Sequence, residues 1–186
     1  MSFEDVVIVD PYVDKGWTPE IKLTLASEED VDDLESAFEV TFPRGYRDFV
    51  TTLGLGEYCN YIRVIMPNAI MSGCREAQEF LSQYWFWSLG EEMFPKERAV
   101  TSIQMATTID GDVVLFHPSK PNELWVLPRN DDMPYQIGPD VYEAIDWLCT
   151  AHRNATGSVG EEHQKRYFVP SNPFAYDHGI LRPEGF

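Results

Sequence analysis

Apolar residues recur along this chain in two periods, and each change of period marks an element. Val31, Leu34 and Phe38 repeat at helical spacing, with Glu29, Asp32, Asp33 and Ser36 on the opposite face; this predicts an amphipathic helix. Ser27 caps it, Asp30 stands three residues on in an approximate capping box, and Glu28 and Glu29 occupy the first turn, where the helix dipole favours anions. Tyr46, Phe49, Val50 and Leu53 predict a second, shorter helix. Pro43 suits its first position, and Gly54 or Gly56 ends it, because glycine takes a left-handed cap at little cost. From Tyr58 to Met66 the period becomes two. Tyr58, Asn60, Ile62 and Val64 share one strand face, and Cys59, Tyr61, Arg63 and Ile65 the other. A third helix is predicted from a Ser72 cap to Ser88, with Ala77, Phe80, Leu81, Tyr84 and Trp85 as apolar positions.

Beyond Pro95 the pattern reads as a meander. Ile103–Thr108, Val113–Phe116 and Leu124–Leu127 are strands, joined by an Asp110-Gly111 hairpin and a turn over Pro118–Asn122. Asn130, Asp131, Asp132 and Pro134 mark another turn, and Asp140 caps a last helix carrying Val141, Ala144, Ile145 and Leu148. At the start, Val6–Val9 reads as a short strand followed by a connection through Trp17. Ile21, Leu23 and Leu25 then alternate with Lys22 and Thr24, as in a half-buried strand or an extended lead-in. After His152 the periodicity ends. Tyr167, Phe168, Phe174, Tyr176, Ile180 and Phe186 are too aromatic for a solvated tail, so residues 152–186 are expected to form an irregular arm packed on the domain. The expected whole is one α+β domain over residues 1–151, with its core at 27–150. An antiparallel sheet of about five strands would have its helices mainly on one face.

A chain of 186 residues can bury roughly 70% of its unfolded surface and needs no cross-link to hold a core. The three cysteines, Cys59, Cys74 and Cys149, are odd in number and widely spaced, so they suggest neither disulfides nor a zinc site, and reduced thiols in a cytoplasmic protein are expected. Acids stand near the N-terminus where a secretory leader needs positive charge, and no apolar run approaches the ~20 residues of a membrane span. Charge changes the picture most. There are 14 basic and 31 acidic residues, a net of −17; the acid is concentrated in the first forty residues, and the last segment is neutral. Such a field repels nucleic acid and anionic membranes and attracts a basic partner. Solubility alone accounts for it equally well.

Candidate chemistry is sparse. His117, His152, His163 and His178 are scattered, without metal-ligand spacing. Glu161-Glu162-His163 reads as a solvated charged patch, and His117 as a strand-end histidine. Gly54-Leu55-Gly56-Glu57 lacks the lysine or third glycine of a phosphate loop. Asp110 and Asp112 fit a hairpin turn better than a cation site, and Cys59 a small core position in a strand. No enzyme activity, metal or cofactor is expected. Tyr84-Trp85-Phe86-Trp87 covers every face of a helix. Packing under the C-terminal arm is the plainer reading, and an exposed anchor patch that includes Trp87 is the alternative.

The order Leu34 to Pro67 has a family likeness. An acidic helix leads into Phe42-Pro43, then Tyr46-Arg47-Asp48-Phe49, glycine and an aromatic strand; later come Asp110-Gly111-Asp112-Val113-Val114-Leu115-Phe116 and a closing helix. Over residues 27–150 this resembles the SUKH superfamily, the Smi–US22–Knr homology group, in its bacterial immunity-protein type. The resemblance implies a protein that binds a cognate toxin and neutralises it by occluding the active site. The charge favours a basic toxin such as a nuclease. Glu29, Asp32, Asp33, Glu57, Asp110, Asp112, Glu123, Asp131 and Asp132, with Trp87, are the candidate partner-binding residues. The helix at 72–88, the first twenty residues and the aromatic tail depart from the family pattern. A regulatory or scaffold module of the same fold is the alternative, and a hydrolase with an unseen site a further rival. A monomer or weak dimer is expected.

Overall fold

The computed structural model describes residues 3, 5–9, 22–156 and 166–171, and in it the capping box at Ser27 is complete. The Ser27 hydroxyl accepts from the Asp30 N–H at 3.1 Å, and the Asp30 carboxylate accepts from the Ser27 N–H at 2.7 Å. The helix that follows, α1 (Glu28–Phe38), buries Val31 and Leu34. Residues 22–26 are an extended lead-in, tied by the Ala26 N–H to the Val50 carbonyl and by the Leu55 N–H to the Thr24 carbonyl, both at 2.9 Å. The second helix, α2 (Tyr46–Thr52), begins after Pro43, contrary to the sequence reading. Pro43 instead accepts from the Tyr46 N–H in a turn, and Gly45, at φ 89°, takes the left-handed conformation that delays the helix. Gly54 closes it as expected, at φ 74°.

The strand expected over Tyr58–Met66 is a hairpin. β2 (Gly56–Tyr58) and β3 (Ile62–Val64) flank a turn in which Cys59 and Asn60 take φ 53° and 50°. Cys59 is therefore a half-buried turn residue, whereas Cys74 and Cys149 are buried. The third helix, α3 (Pro67–Gln83), starts well before Ser72, with Pro67 in its first turn. Ser72 lies inside it, its hydroxyl donating back to the Asn68 carbonyl at 2.9 Å. Because α3 ends at Gln83, Trp85–Trp87 are not helical. They lead to a single 3-10 turn, Ser88–Gly90, and to the short α4 (Lys96–Ala99).

The meander is as predicted at β4 (Ile103–Thr108) and β5 (Val113–His117). β6 (Lys120–Leu127) begins earlier than expected, since His117 already pairs with Lys120 across a tight turn. β7 (Tyr135–Gly138) was not anticipated. Asp140 caps α5 (Val141–Thr156), accepting from the Glu143 N–H at 3.0 Å. The C-terminal segment is not wholly irregular, because β8 (Tyr167–Pro170) enters the sheet between β2 and β1 (Val7–Ile8). The connection through Trp17, the Glu161-Glu162-His163 patch, His178 and the aromatics from Phe174 to Phe186 lie outside the described residues.

The class is α+β, and the described residues form one eight-stranded sheet of order β1-β8-β2-β3-β4-β5-β6-β7 instead of about five strands. Every pairing is antiparallel except that of β1 with β8. Alternation along β5 and β6 serves two cores. Val114, Phe116, Leu124 and Val126 join α1, α2 and α5 in the main core; Leu115, Trp125 and Leu127 pack with Leu81, Trp87, Phe94 and Ala99 in a second. The expected one-sided arrangement thus holds for α1, α2 and α5. The segment from the end of α3 through α4 covers part of the other face.

Candidate protein-binding surface

Arg47 of α2 organises the acids of α1. Its guanidinium donates to Glu28 at 2.7 Å, Asp32 at 2.8 Å and Glu35 at 2.9 Å. Glu35 also accepts from the Phe42 N–H at 2.8 Å, so Glu35 holds the Phe-Pro turn onto the helices. Asp32, a candidate binding residue, is thereby already partnered. Glu29 and Asp33 on the same helix are exposed and make no ion pair among the described residues.

Other candidates fall into the same two kinds. Glu57 is ion-paired with Arg63. Glu123 accepts from Lys120 at 2.8 Å and Arg98 at 2.7 Å, and these donors, Lys120 first, hold its carboxyl below the usual glutamate range. Asp112 is buried: it accepts from the Thr108 hydroxyl at 2.7 Å, the Tyr61 hydroxyl at 3.2 Å and the Arg129 N–H at 2.9 Å. It ties the β4–β5 turn to the β2–β3 and β6–β7 turns and is not displayed to a partner. Asp131 accepts from the Tyr135 hydroxyl at 2.6 Å and the Met133 N–H at 3.1 Å, which lowers its pKa. Asp110 and Asp132 are exposed. The turn contacts through Asp112 place them at the same end of the sheet.

Trp87 is a correction. It is 2% exposed, stacks against Phe86 with ring centroids 3.9 Å apart, and donates its indole N–H to the Pro128 carbonyl at 2.7 Å. It is an interior strut of the second core. Its neighbours carry the exposure that the sequence reading assigned to it. Phe80, Tyr84, Phe86, Leu89 and Met93 are all exposed, up to 68% at Leu89. Phe80 and Tyr84 were read as apolar positions of the third helix. The helix instead turns Ile70, Cys74 and Leu81 inward, and Phe80 leans on Tyr84 at 5.0 Å between centroids. The available signal was the run itself, since consecutive aromatics cannot all face one core.

His117 ends β5 as expected. The Ser119 N–H donates to its Nδ1 at 3.1 Å, and Nε2 lies 3.2 Å from the Thr101 hydroxyl. Burial, then the nearby Arg98 charge, lowers its pKa. Among the described residues no group of three or more His, Cys, Asp or Glu could hold a metal, and no helix is long and apolar enough to cross a membrane. An open cleft between β7 and α5 is lined by Ile137, Glu143, Asp146, Trp147, Thr150 and Ala151, with Arg166 bonded to Asp146 at 3.1 Å.

Acidic helix, Phe-Pro turn, short helix, hairpin, meander and closing helix, in this order, define a SUKH-type α+β domain. The chain belongs to the SMI1/KNR4 family (SUKH-1), whose family model matches residues 25–147, from the lead-in of α1 into α5. No curated protein matches the chain. SUKH domains are in general non-enzymatic immunity or binding modules, and the family typically binds protein toxins. β1 and β8 lie outside the matched span.

Proposed function

We propose that this chain is a cytoplasmic immunity protein that binds a cognate bacterial toxin and neutralises it by covering the active site or its approach. Family membership over residues 25–147 is the observation that carries this reading. It acts without a cofactor, as a monomer or weak dimer. The net charge of −17 supports a basic target such as a nuclease, whose nucleic-acid groove must be cationic. Glu29, Asp33, Asp110, Asp131 and Asp132 are the candidates exposed and without an ion pair among the described residues, Asp131 being held by hydrogen bonds from Tyr135 and Met133. Such charges act mainly on encounter rate and orientation.

Co-expression with a toxin encoded by a neighbouring gene tests the proposal. The expected result is restored growth and a stable complex on a sizing column, with association that slows as salt rises. Unrelieved toxicity with no complex would overturn it.

A further inference from the structure

The segment from the end of α3 to Phe94 has an unusual build. Its inward residues are locked. Trp87 is bonded to the Pro128 carbonyl at 2.7 Å, Phe94 stacks on Trp125 at 4.7 Å between centroids, and Gly90 lies so close to Pro134 that an added Cβ would stand 2.1 Å from its Cδ. Its outward residues are nevertheless large and apolar. Five of the twelve exposed large hydrophobics in the described residues fall between Phe80 and Met93. Apolar surface concentrated on a rigid scaffold is the usual form of an interaction site, because little ordering entropy is lost on binding.

The charge around it specifies the occupant. Between residues 75 and 93 the chain carries Glu76, Glu79, Glu91 and Glu92, all exposed, against a single base, Arg75. Arg75 lies 3.6 Å from Glu79 and offsets only that one carboxylate. Glu76 stands one helical turn before Phe80, and Glu91 and Glu92 lie between Leu89 and Met93. We infer that this apolar patch with its acidic rim is the docking surface for the protein partner, and that it receives a face with apolar side chains ringed by lysine or arginine. Tyr84, Phe86 and Leu89 supply the desolvated centre, which sets residence time. The rim carboxylates supply register and encounter rate. The contact is thereby assigned to this patch and not to the acids of α1, of which Glu28, Asp32 and Glu35 are bound to Arg47.

The inference rests on the proposed toxin-binding role only for the identity of the partner, so its test uses two probes on the full chain. One is a toxin domain encoded by a neighbouring gene; the other, independent of any toxin, is a synthetic helical peptide of leucine and lysine. Binding is measured for the wild type, for the pair Tyr84→Ser and Leu89→Ser, for the pair Glu91→Gln and Glu92→Gln, and for the α1 pair Glu29→Gln and Asp33→Asn. The apolar pair should raise the dissociation constant by about tenfold or more for both probes, through faster dissociation, while melting like the wild type. The rim pair should slow association several-fold at low salt. The α1 pair should change dissociation less than about twofold. If the toxin binds and only the α1 pair accelerates its release, the inference falls while the toxin-binding role stands. If the toxin does not bind, that role falls, and the peptide decides the patch: loss of affinity in the apolar pair upholds the inference, and equal affinity for all variants ends it. Binding that emerges only after removal of residues 172–186 would make the chain's own arm the occupant and would also overturn it.

Discussion

The indole N–H of Trp87 donates to the carbonyl of Pro128 at 2.7 Å, joining the α3–α4 connection to the turn after β6. That bond, with the 2% exposure of Trp87, separates two roles that adjacent aromatics take. Trp87 holds the segment in place, while Tyr84 and Phe86 face outward.

Trp87→Ala is therefore expected to cost about 3–5 kcal/mol of folding stability through the cavity it leaves. Trp87→Phe should cost about 1–3 kcal/mol, because it leaves the Pro128 carbonyl without its donor. Urea denaturation measures both. Partner affinity lost with no change in the unfolding midpoint would contradict the interior role.

Asp112 is expected to behave as a brace. Asp112→Ala removes an acceptor from the Thr108 and Tyr61 hydroxyls and from the Arg129 N–H, at an expected cost of about 1–3 kcal/mol. Asp112→Asn should fall between that variant and the wild type, since its amide oxygen can still accept. Thermal melts of the three proteins check the order.

His117 should make stability fall on acidification. Its folded pKa lies below the ordinary 6.5 because of burial and then Arg98. The unfolded chain therefore binds more protons between the two values. The contribution of the neutral ring is complete above 6.5 and is lost as pH falls through the folded value. Protonation would also set an Nδ1 proton against the Ser119 N–H, which donates to that atom at 3.1 Å. Glu123 gives a second, lower window. Its folded pKa is also depressed, so its contribution is present above 4.5 and lost as pH falls through its folded value. Unfolding midpoints measured across pH should show the upper step vanish in His117→Gln and the lower one remain.

Gly56 seats β8. A Cβ there would stand 2.4 Å from the Phe168 ring and 2.4 Å from the Val169 carbonyl oxygen, and the latter, as backbone, cannot step aside. Gly56→Ala is expected to cost about 1–3 kcal/mol. Amide exchange should quicken at Cys59 and Ser171, whose N–H groups bond to Tyr167 and Leu55 across this junction.

Local rules carried much of the fold. The Ser27 cap, the buried stripe of α2, the Gly54 stop, the Asp110-Gly111 hairpin and the Asp140 cap each depend on neighbours within a few residues, so composition and spacing determine them. The acidic balance and the likeness carried by Phe42-Pro43 and Tyr46-Arg47-Asp48-Phe49 were equally legible, and so was the family they point to. Tertiary structure decided what depends on distant partners. Pro67, not Ser72, starts α3; β8 joins the sheet because Phe168 finds a place beside Phe49 and Gly56; and Asp112 turns inward because Tyr61 and Arg129 meet it there. Periodicity shows that four consecutive aromatics cannot share one face. Only the second core around Trp125 determines that Trp87 goes in while Tyr84 and Phe86 stay out. Burial is settled by what lies across the sheet, and that lies far along the chain.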